Sequence, residues 1–297
     1  DNGLKGGSFA LEGSFTLTYA WKSVNQGGII DYTVEALAEP VLKMVDIDGD
    51  DDLDVLYGSS AYNPEGGGNT QLLQFDGKRL VKNTEDKYDF LTSLYISEIL
   101  ASDVNGDGLQ DVWTSLSNGA GAQFDISSGL DFITIEGASG GLDDYKLYNA
   151  KSQILDLNND GKKEIISLGL TNNTAAASLK LYVIELDLTT VPPTLKMLDE
   201  SDKITNLTSS SFDFGDYDGD QDVDFLISGF SASQGLSSVL YDNTTEVGGS
   251  LSLVETANSL VAVRDGTTNF IDFDSDGDLD IIFTGTSFNG DVFEIYL

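Results

Sequence analysis

An acidic nine-residue segment occurs five times in this chain, and it constrains the fold more than any other feature. The copies are DIDGDDDLD from Asp46, DVNGDGLQD from Asp103, DLNNDGKKE from Asp156, DYDGDQDVD from Asp216 and DFDSDGDLD from Asp272. Successive starts lie 57, 53, 60 and 56 residues apart. A near-constant period with drifting spacer length marks a structural repeat joined by variable loops. Within each copy Asp holds position 1, Asp or Asn position 3, Asp position 5, and Asp or Glu position 9.

Oxygen-bearing side chains at alternate positions converge when the backbone curls, which suits a hard cation taking six to eight oxygen ligands. The predicted side-chain ligands are Asp46, Asp48, Asp50 and Asp54; Asp103, Asn105, Asp107 and Asp111; and Asp156, Asn158, Asp160 and Glu164. The last two loops supply Asp216, Asp218, Asp220 and Asp224, then Asp272, Asp274, Asp276 and Asp280. Position 7 is predicted to offer a backbone carbonyl: Asp52, Leu109, Lys162, Asp222 and Asp278. Calcium, up to five ions, is the expected cofactor. Eighteen acidic groups stand at positions 1, 3, 5 and 9, and their repulsion couples metal binding to stability.

The loop opens like that of an EF-hand, but the EF-hand closes with Glu at position 12. Here position 12 is Tyr57, Thr114, Ser167, Ile227 and Phe283, none of which can close such a shell. Position 6 favours a left-handed backbone and is usually Gly. It is Asp51 in the first loop and Gln221 in the fourth, so the fourth departs furthest from the pattern.

β-branched and aromatic residues follow each copy, in VLYGSS, VWTSLS, IISLGLT, FLISGFS and IIFTGTS. Partly alternating runs precede each copy: VLKMV, YISEILAS, AKSQIL, SSFDFG and TTNFI. Each loop is thus predicted to join two antiparallel strands. TQLLQF, LKLYVIEL, TLKML, SSVLY and SLSLVE bring the count to about four strands per period. The predicted fold is all-β, a single β-propeller of four-stranded antiparallel blades over residues 1–297, with 1–13 as a tail or strand. Five blades fit the loop count. FTLTYAW near the N-terminus and DVFEIYL at the C-terminus both read as third strands, which leaves six or seven open.

The nonapeptides and the strand–Gly–Ser/Thr segments after them resemble the FG-GAP or VCBS repeats of integrin α-subunit propellers and many secreted bacterial proteins. By period the resemblance covers roughly residues 14 to 297. It implies calcium in the loop between the first two strands of each blade and ligand binding on the opposite face.

Composition narrows the function. Fifty acidic against fifteen basic residues give a charge of −35, which repels nucleic acid and anionic membrane surfaces. With no cysteine and no histidine, thiolate chemistry and the Ser-His-Asp triad are excluded. No apolar run reaches the roughly 18 to 20 residues that span a bilayer. The opening Asp1-Asn2-Gly3-Leu4 has no leader pattern and fits either a mature secreted product or a piece of a larger chain.

The reading is a non-enzymatic, secreted or surface-displayed module for adhesion, recognition or assembly, its partner a protein or glycan at the cell surface. The alternative is a lectin-like propeller or an accessory domain of a carbohydrate-active enzyme. Trp113 is expected in the core because it shares the position of Leu56, Ile166, Leu226 and Ile282; Trp21 is expected to pack with Phe15, Leu17 and Tyr19. Ligand contacts are sought in Gly58–Asn69 and Ser228–Gly235 and at Tyr62, Tyr88, Phe90, Tyr145, Phe230 and Phe288. Asn172, Asn206 and Asn243 lie in glycosylation sequons.

Overall fold

The computed structural model describes residues 20–25, 28–33, 40–59, 70–75, 80–83, 95–129, 131–174, 177–231 and 233–297. Alternating apolar residues between turn formers give antiparallel strands throughout. A hairpin of β1 (Ala20–Asn25) and β2 (Gly28–Thr33) comes first. The first four-stranded sheet comprises β3 (Pro40–Val45), β4 (Asp54–Ser59), β5 (Gln71–Phe75) and β6 (Leu80–Lys82). The second holds β7 (Ile96–Ser102), β8 (Asp111–Leu116), β9 (Ala122–Ser127) and β10 (Phe132–Glu136). In the third are β11 (Tyr148–Leu155), β12 (Glu164–Leu170), β13 (Leu179–Asp187) and β14 (Thr194–Asp199). The fourth contains β15 (Thr208–Gly215), β16 (Asp224–Ser231), β17 (Gly235–Asn243) and β18 (Leu253–Thr256). The fifth has three described strands, β19 (Arg264–Ile271), β20 (Asp280–Ser287) and β21 (Gly290–Tyr296). Neighbours in each sheet follow chain order.

The strands predicted around each nonapeptide are present. β2, β6, β9 and β10 fall outside the runs read as strands in the sequence. Half of the inward positions of β9 are polar, with Gln123 and Asp125 both buried, so the apolar alternation that marks a strand is missing. β16 runs to Ser231, so most of the expected Ser228–Gly235 loop is strand. Residues 60–69, Tyr62, Tyr88 and Phe90 lie outside the described residues, as does the expected packing of Phe15, Leu17, Tyr19 and Trp21.

Consecutive sheets stack face to face, and the two-residue period of the second strand decides which side chain enters which interface. Position 10 points back to the preceding sheet and position 11 forward to the next. Val112 joins a core with Leu56 and Ile99, whereas its neighbour Trp113 joins one with Ile165 and Ile184. Ile166 packs with Phe212 and Phe225, and Leu226 with Ile281 and Phe283. Four hydrophobic clusters thus fill the four interfaces among five sheets. Trp113 is fully buried, as predicted, edge-on to Tyr145 with ring centroids 5.4 Å apart. Tyr145 is itself 1% exposed and belongs to this core, not to a ligand surface.

First strands lie beside one another, β7 against β3 and β11, and β19 against β15. In the second to fifth sheets the pairing of first and second strands shifts register and resumes five residues before the loop, at Glu98, Lys151, Ser211 and Thr267. Side chains there stitch sheets together. Glu98 Oε1 accepts the Ser152 N–H at 2.7 Å, and Ser211 Oγ accepts the Thr268 N–H at 3.0 Å. Asp213 accepts from the Phe270 N–H at 2.9 Å and from Gln153 Nε2 at 2.8 Å, tying β15 to both β19 and β11.

Burial pushes the Glu98 carboxyl up to about 7, against partial relief from Ser152, Ser115 and the Lys151 charge. A carboxyl raised by folding favours the folded state below its unfolded value, and that contribution is lost as pH rises through about 7. The shift corresponds to about 3 kcal/mol at most. Glu98→Gln keeps an acceptor for Ser152 and cannot ionise. Denaturant titrations at about pH 5 and about pH 8 are expected to show the substituted protein losing about 2 kcal/mol less than the parent over that interval. Equal losses would exclude an ionisable seam at Glu98.

Candidate metal centres

All five nonapeptides connect a first strand to a second and follow one hydrogen-bond scheme. The position 1 carboxylate caps the turn by accepting backbone N–H groups that face it. Asp46 Oδ1 accepts from Gly49 at 2.8 Å and Asp50 at 3.1 Å, while its Oδ2 accepts from Asp51 at 3.0 Å. Asp103 repeats this with Gly106, Asp107 and Gly108 at 2.7, 3.1 and 2.9 Å. Asp156 does so with Asp160 and Gly161, Asp216 with Gly219 and Gln221, and Asp272 with Asp276. The position 5 carboxylate then accepts the position 7 N–H, as in Asp107 to Leu109 at 2.8 Å and Asp160 to Lys162 at 2.9 Å.

Two left-handed residues per loop produce this curl. Position 6 has positive φ in every copy, including Asp51 at 69° and Gln221 at 79°, so the fourth loop keeps the common geometry at a backbone cost Gly would avoid. Position 4 is also left-handed throughout, from 54° at Asn159 to 80° at Gly219. Sequence reading missed this because Asn159 and Ser275 there hide the glycine pattern.

The curl brings carboxylate oxygens within 4.8 Å of one another at Asp46, Asp48 and Asp50, at Asp272, Asp274 and Asp276, and at Asp216, Asp218 and Asp224. A carboxylate oxygen has two lone pairs, so one that accepts a single N–H can still face a cation. In the second and third loops Asn105 and Asn158 replace one carboxylate. Asn105 turns its amide toward Asp107 Oδ2 at 3.0 Å, and Lys162 Nζ sits 3.4 Å from Asp160 Oδ2. Those two loops therefore hold less uncompensated charge. The donor sets are hard oxygens only, a chemistry that fits calcium or magnesium and not a soft metal.

Position 9 has a different place from positions 1, 3 and 5. Asp54, Asp111, Glu164, Asp224 and Asp280 are all 4% exposed or less. One oxygen of each reaches back to the position 2 N–H: 3.4 Å at Ile47, 2.9 Å at Val104, 2.9 Å at Leu157, 3.1 Å at Tyr217 and 2.8 Å at Phe273. The other oxygen of Asp111 accepts the Ser127 N–H at 3.0 Å, and that of Asp224 the Asn243 N–H at 2.9 Å, fastening the loop to the third strand. Position 9 is thus a backbone brace, and in the fourth loop it also joins the acidic cluster. Position 12 lies in the second strand, buried in every copy.

The third strand contributes a residue the nonapeptide does not contain. Asp242 on β17 comes within 4.8 Å of Asp218 and Asp220, and of Asp222 and Asp224. The same strand position carries Gln74, whose Nε2 donates to Asp48 Oδ2 at 2.7 Å, and Glu185, whose charge acts on Glu164. A polar residue recurring one place after the partner of position 10 is the signal that could have found it. Burial first, then Asp220 and Asp224, pushes Asp222 up to about 7; burial also raises Asp224 to about 6. Glu164 rises to about 7 from burial and from Asp160, Asp156 and Glu185.

At the opposite end of the sheets Phe288, in the turn between β20 and β21, is 77% exposed, while Phe230 lies under Arg264 at 5.9 Å. Asn243 cannot be glycosylated in the fold. It is 1% exposed, and its Nδ2 donates to Leu157 and Val223 carbonyls at 3.0 Å each. Asn206 is exposed and Asn172 half-buried.

No family model matches the sequence, and no curated relative aligns with it. Among solved structures, a chain described in terms of specific recognition of non-reducing terminal N-acetylglucosamine by an Agrocybe aegerita lectin superposes with a TM-score of 0.48 at 15% identity, over 88% of this chain and 67% of that one.

The two kinds of carboxylate separate in experiment. With chelator present, Asp111→Ala leaves two buried N–H groups unpaired and is expected to cost about 2 kcal/mol or more. Asp274→Ala, in an exposed position 3, is expected to change stability by less than about 0.5 kcal/mol. Denaturant unfolding of both variants checks this; equal effects would remove the distinction between brace and ligand.

Proposed function

We propose that the chain is an extracellular, calcium-stabilised β-propeller of the FG-GAP or VCBS type that serves as an adhesion, recognition or surface-assembly module and performs no catalysis. The observation that carries this reading is the common loop geometry: five oxygen-rich turns, each between the first and second strands of a successive sheet, in every one of which the position 5 carboxylate accepts the position 7 N–H and the position 9 carboxylate the position 2 N–H. Nothing in the packing of the cores requires acidic residues at those corners. Their recurrence in register makes sense when a cation offsets the repulsion.

Loops of this ligand class in extracellular modules bind calcium at about 10⁻⁴ to 10⁻³ M, which suits extracellular and not cytosolic calcium. Bound calcium holds the first and second strands of each sheet at one end. The turns between second and third strands, at the other end, are then presented on a rigid frame to a protein or glycan partner. The absence of histidine and cysteine, and the use of buried acids as braces, support a binding role over an enzymatic one.

Millimolar calcium, at about ten times a dissociation constant of about 10⁻⁴ M, contributes about 1.4 kcal/mol per occupied loop. Thermal melts are therefore expected to rise by at least about 5 °C on adding millimolar calcium to chelator-treated protein. Magnesium, which demands a tighter octahedral shell, is expected to do less. An unchanged melt would reject the calcium-stabilised module.

A further inference from the structure

The third and fourth loops are tied to each other by a side chain that belongs to neither. Asn243, at the end of β17, is 1% exposed. Its backbone N–H donates at 2.9 Å to Asp224 Oδ1, the position 9 brace of the fourth loop. Its Nδ2 donates at 3.0 Å to the Val223 carbonyl, position 8 of the fourth loop, and at 3.0 Å to the Leu157 carbonyl, position 2 of the third. Its Oδ1 accepts the Thr245 N–H at 3.1 Å, which fixes the orientation of the amide. The Leu157 N–H in turn donates to Glu164 Oε2 at 2.9 Å. An unbroken line of hydrogen bonds therefore runs from one position 9 acid, Asp224, through Asn243 and Leu157 to the other, Glu164.

Two further ties join the same pair of sheets at the same end. Asn159 Nδ2 donates to the Gln221 carbonyl at 3.3 Å, from position 4 of the third loop to position 6 of the fourth. Position 4 is Gly49, Gly106, Gly219 or Ser275 in the other copies, so this amide is peculiar to the third loop. Gly248, in the turn between β17 and β18, donates its N–H to the Asn158 carbonyl at 2.9 Å and so holds the backbone of the neutral position 3 donor. Both of these bonds lie at the exposed rim and are worth less than the buried bridge. The third-strand place of Asn243 is occupied by Phe75, Ser127 and Leu186 in the first three sheets, none of which carries an amide.

Resting on the calcium reading above, we infer that Asn243 is a positioning residue that makes the third and fourth loops one cation-binding unit, so that an ion in either loop strengthens binding in the other. Without a cation, the crowded acids of the fourth loop push apart and strain Val223 and Asp224, the groups that Asn243 holds. The amide cannot let go of one partner without leaving a buried polar group unpaired. The displacement therefore passes to Leu157 and on to Asn158, beside it in the third loop. That loop has Asn158 in place of a carboxylate and Lys162 Nζ at 3.4 Å from Asp160 Oδ2, so it depends on being held in shape more than on charge. Coupling of this kind is reciprocal.

Calcium titrations of the isotope-labelled, chelator-treated full chain, read by NMR at the backbone amides of Gly161, Gly219 and Gly277, follow the third, fourth and fifth loops separately. Asp218→Asn/Asp220→Asn removes two exposed charges from the fourth loop and keeps oxygen acceptors for the Asp220 and Asp222 N–H groups. In that variant Gly161 is expected to need at least about 5-fold more calcium than in the parent, with Gly277 unmoved. Asn243→Ser places there the residue of the second sheet and keeps the backbone N–H. It is expected to shift Gly161 alike, with no further shift when combined with Asp218→Asn/Asp220→Asn. An unmoved Gly161 in Asp218→Asn/Asp220→Asn would overturn the coupling, and this arm decides alone if Asn243→Ser does not fold. Equal shifts at Gly161 and Gly277 would overturn it as well, because they report general loosening. Additive shifts in the combined variant would remove the role of Asn243. Silence of all three amides toward calcium in the parent would instead overturn the calcium reading on which the coupling rests.

Discussion

The structure depends on holding acidic side chains together at the corner of each first hairpin, with carboxylate oxygens within 4.8 Å of one another in the first, fourth and fifth. Two unit charges about 4 Å apart repel by about 1 kcal/mol in water and several times that in a partly buried site. Backbone N–H groups answer part of this. Position 1 takes up to three of them, position 5 one and position 9 one or two, so each loop is an anion-binding turn wrapped around its own acids. What those donors cannot neutralise differs among the loops. Asp272, Asp274 and Asp276 are exposed and screened by water, whereas the fourth loop gathers Asp242 as well and raises Asp222 to about 7. The same curl sets the register of the first and second strands. That register sends position 10 backward and position 11 forward, which is what allows the sheets to stack.

Much of this was legible in the sequence, because loop and strand each carry a short-range signal. Aspartates at positions 1, 3 and 5 report a curled turn, and the β-branched run after position 9 reports a buried strand. Trp113 could be placed in the core simply by counting from the loop. The parts that were not legible depend on distance. Asp242 stands 18 residues beyond the fourth loop, and only the pairing of Tyr241 with Phe225 brings it to the site. Position 9 reads as a ligand in the sequence, and what the sequence does not reveal is that it also braces the loop, accepting the position 2 N–H in every copy and a third-strand N–H at Asp111 and Asp224.

Polar interiors account for the rest. β9 escaped notice since Gln123 bonds Asp125 at 2.8 Å and Asp125 accepts from Thr134 at 2.6 Å, a satisfied pair that replaces an apolar one. Tyr145 reads as a loop aromatic, yet its hydroxyl lies 3.1 Å from Ser115 Oγ and 2.6 Å from Ser167 Oγ, which lets a phenol be buried between sheets. A related device recurs farther on. Tyr241 and Tyr296, at equivalent third-strand places, each accept a backbone N–H at 2.8 Å, from Thr205 and Val261, in the segment that enters their own sheet. Hydroxyls thus fix the connections between sheets as carboxylates fix the hairpin corners.

The central claim is that the carboxylate-lined corners are calcium sites. The most direct measurement is isothermal calorimetry of calcium into chelator-treated, full-length chain. Binding of about three to five ions per chain, at the affinities of extracellular oxygen cages, is the predicted result. No calcium-specific heat, or a single ion at most, would contradict it and leave the corners as self-capped acidic turns.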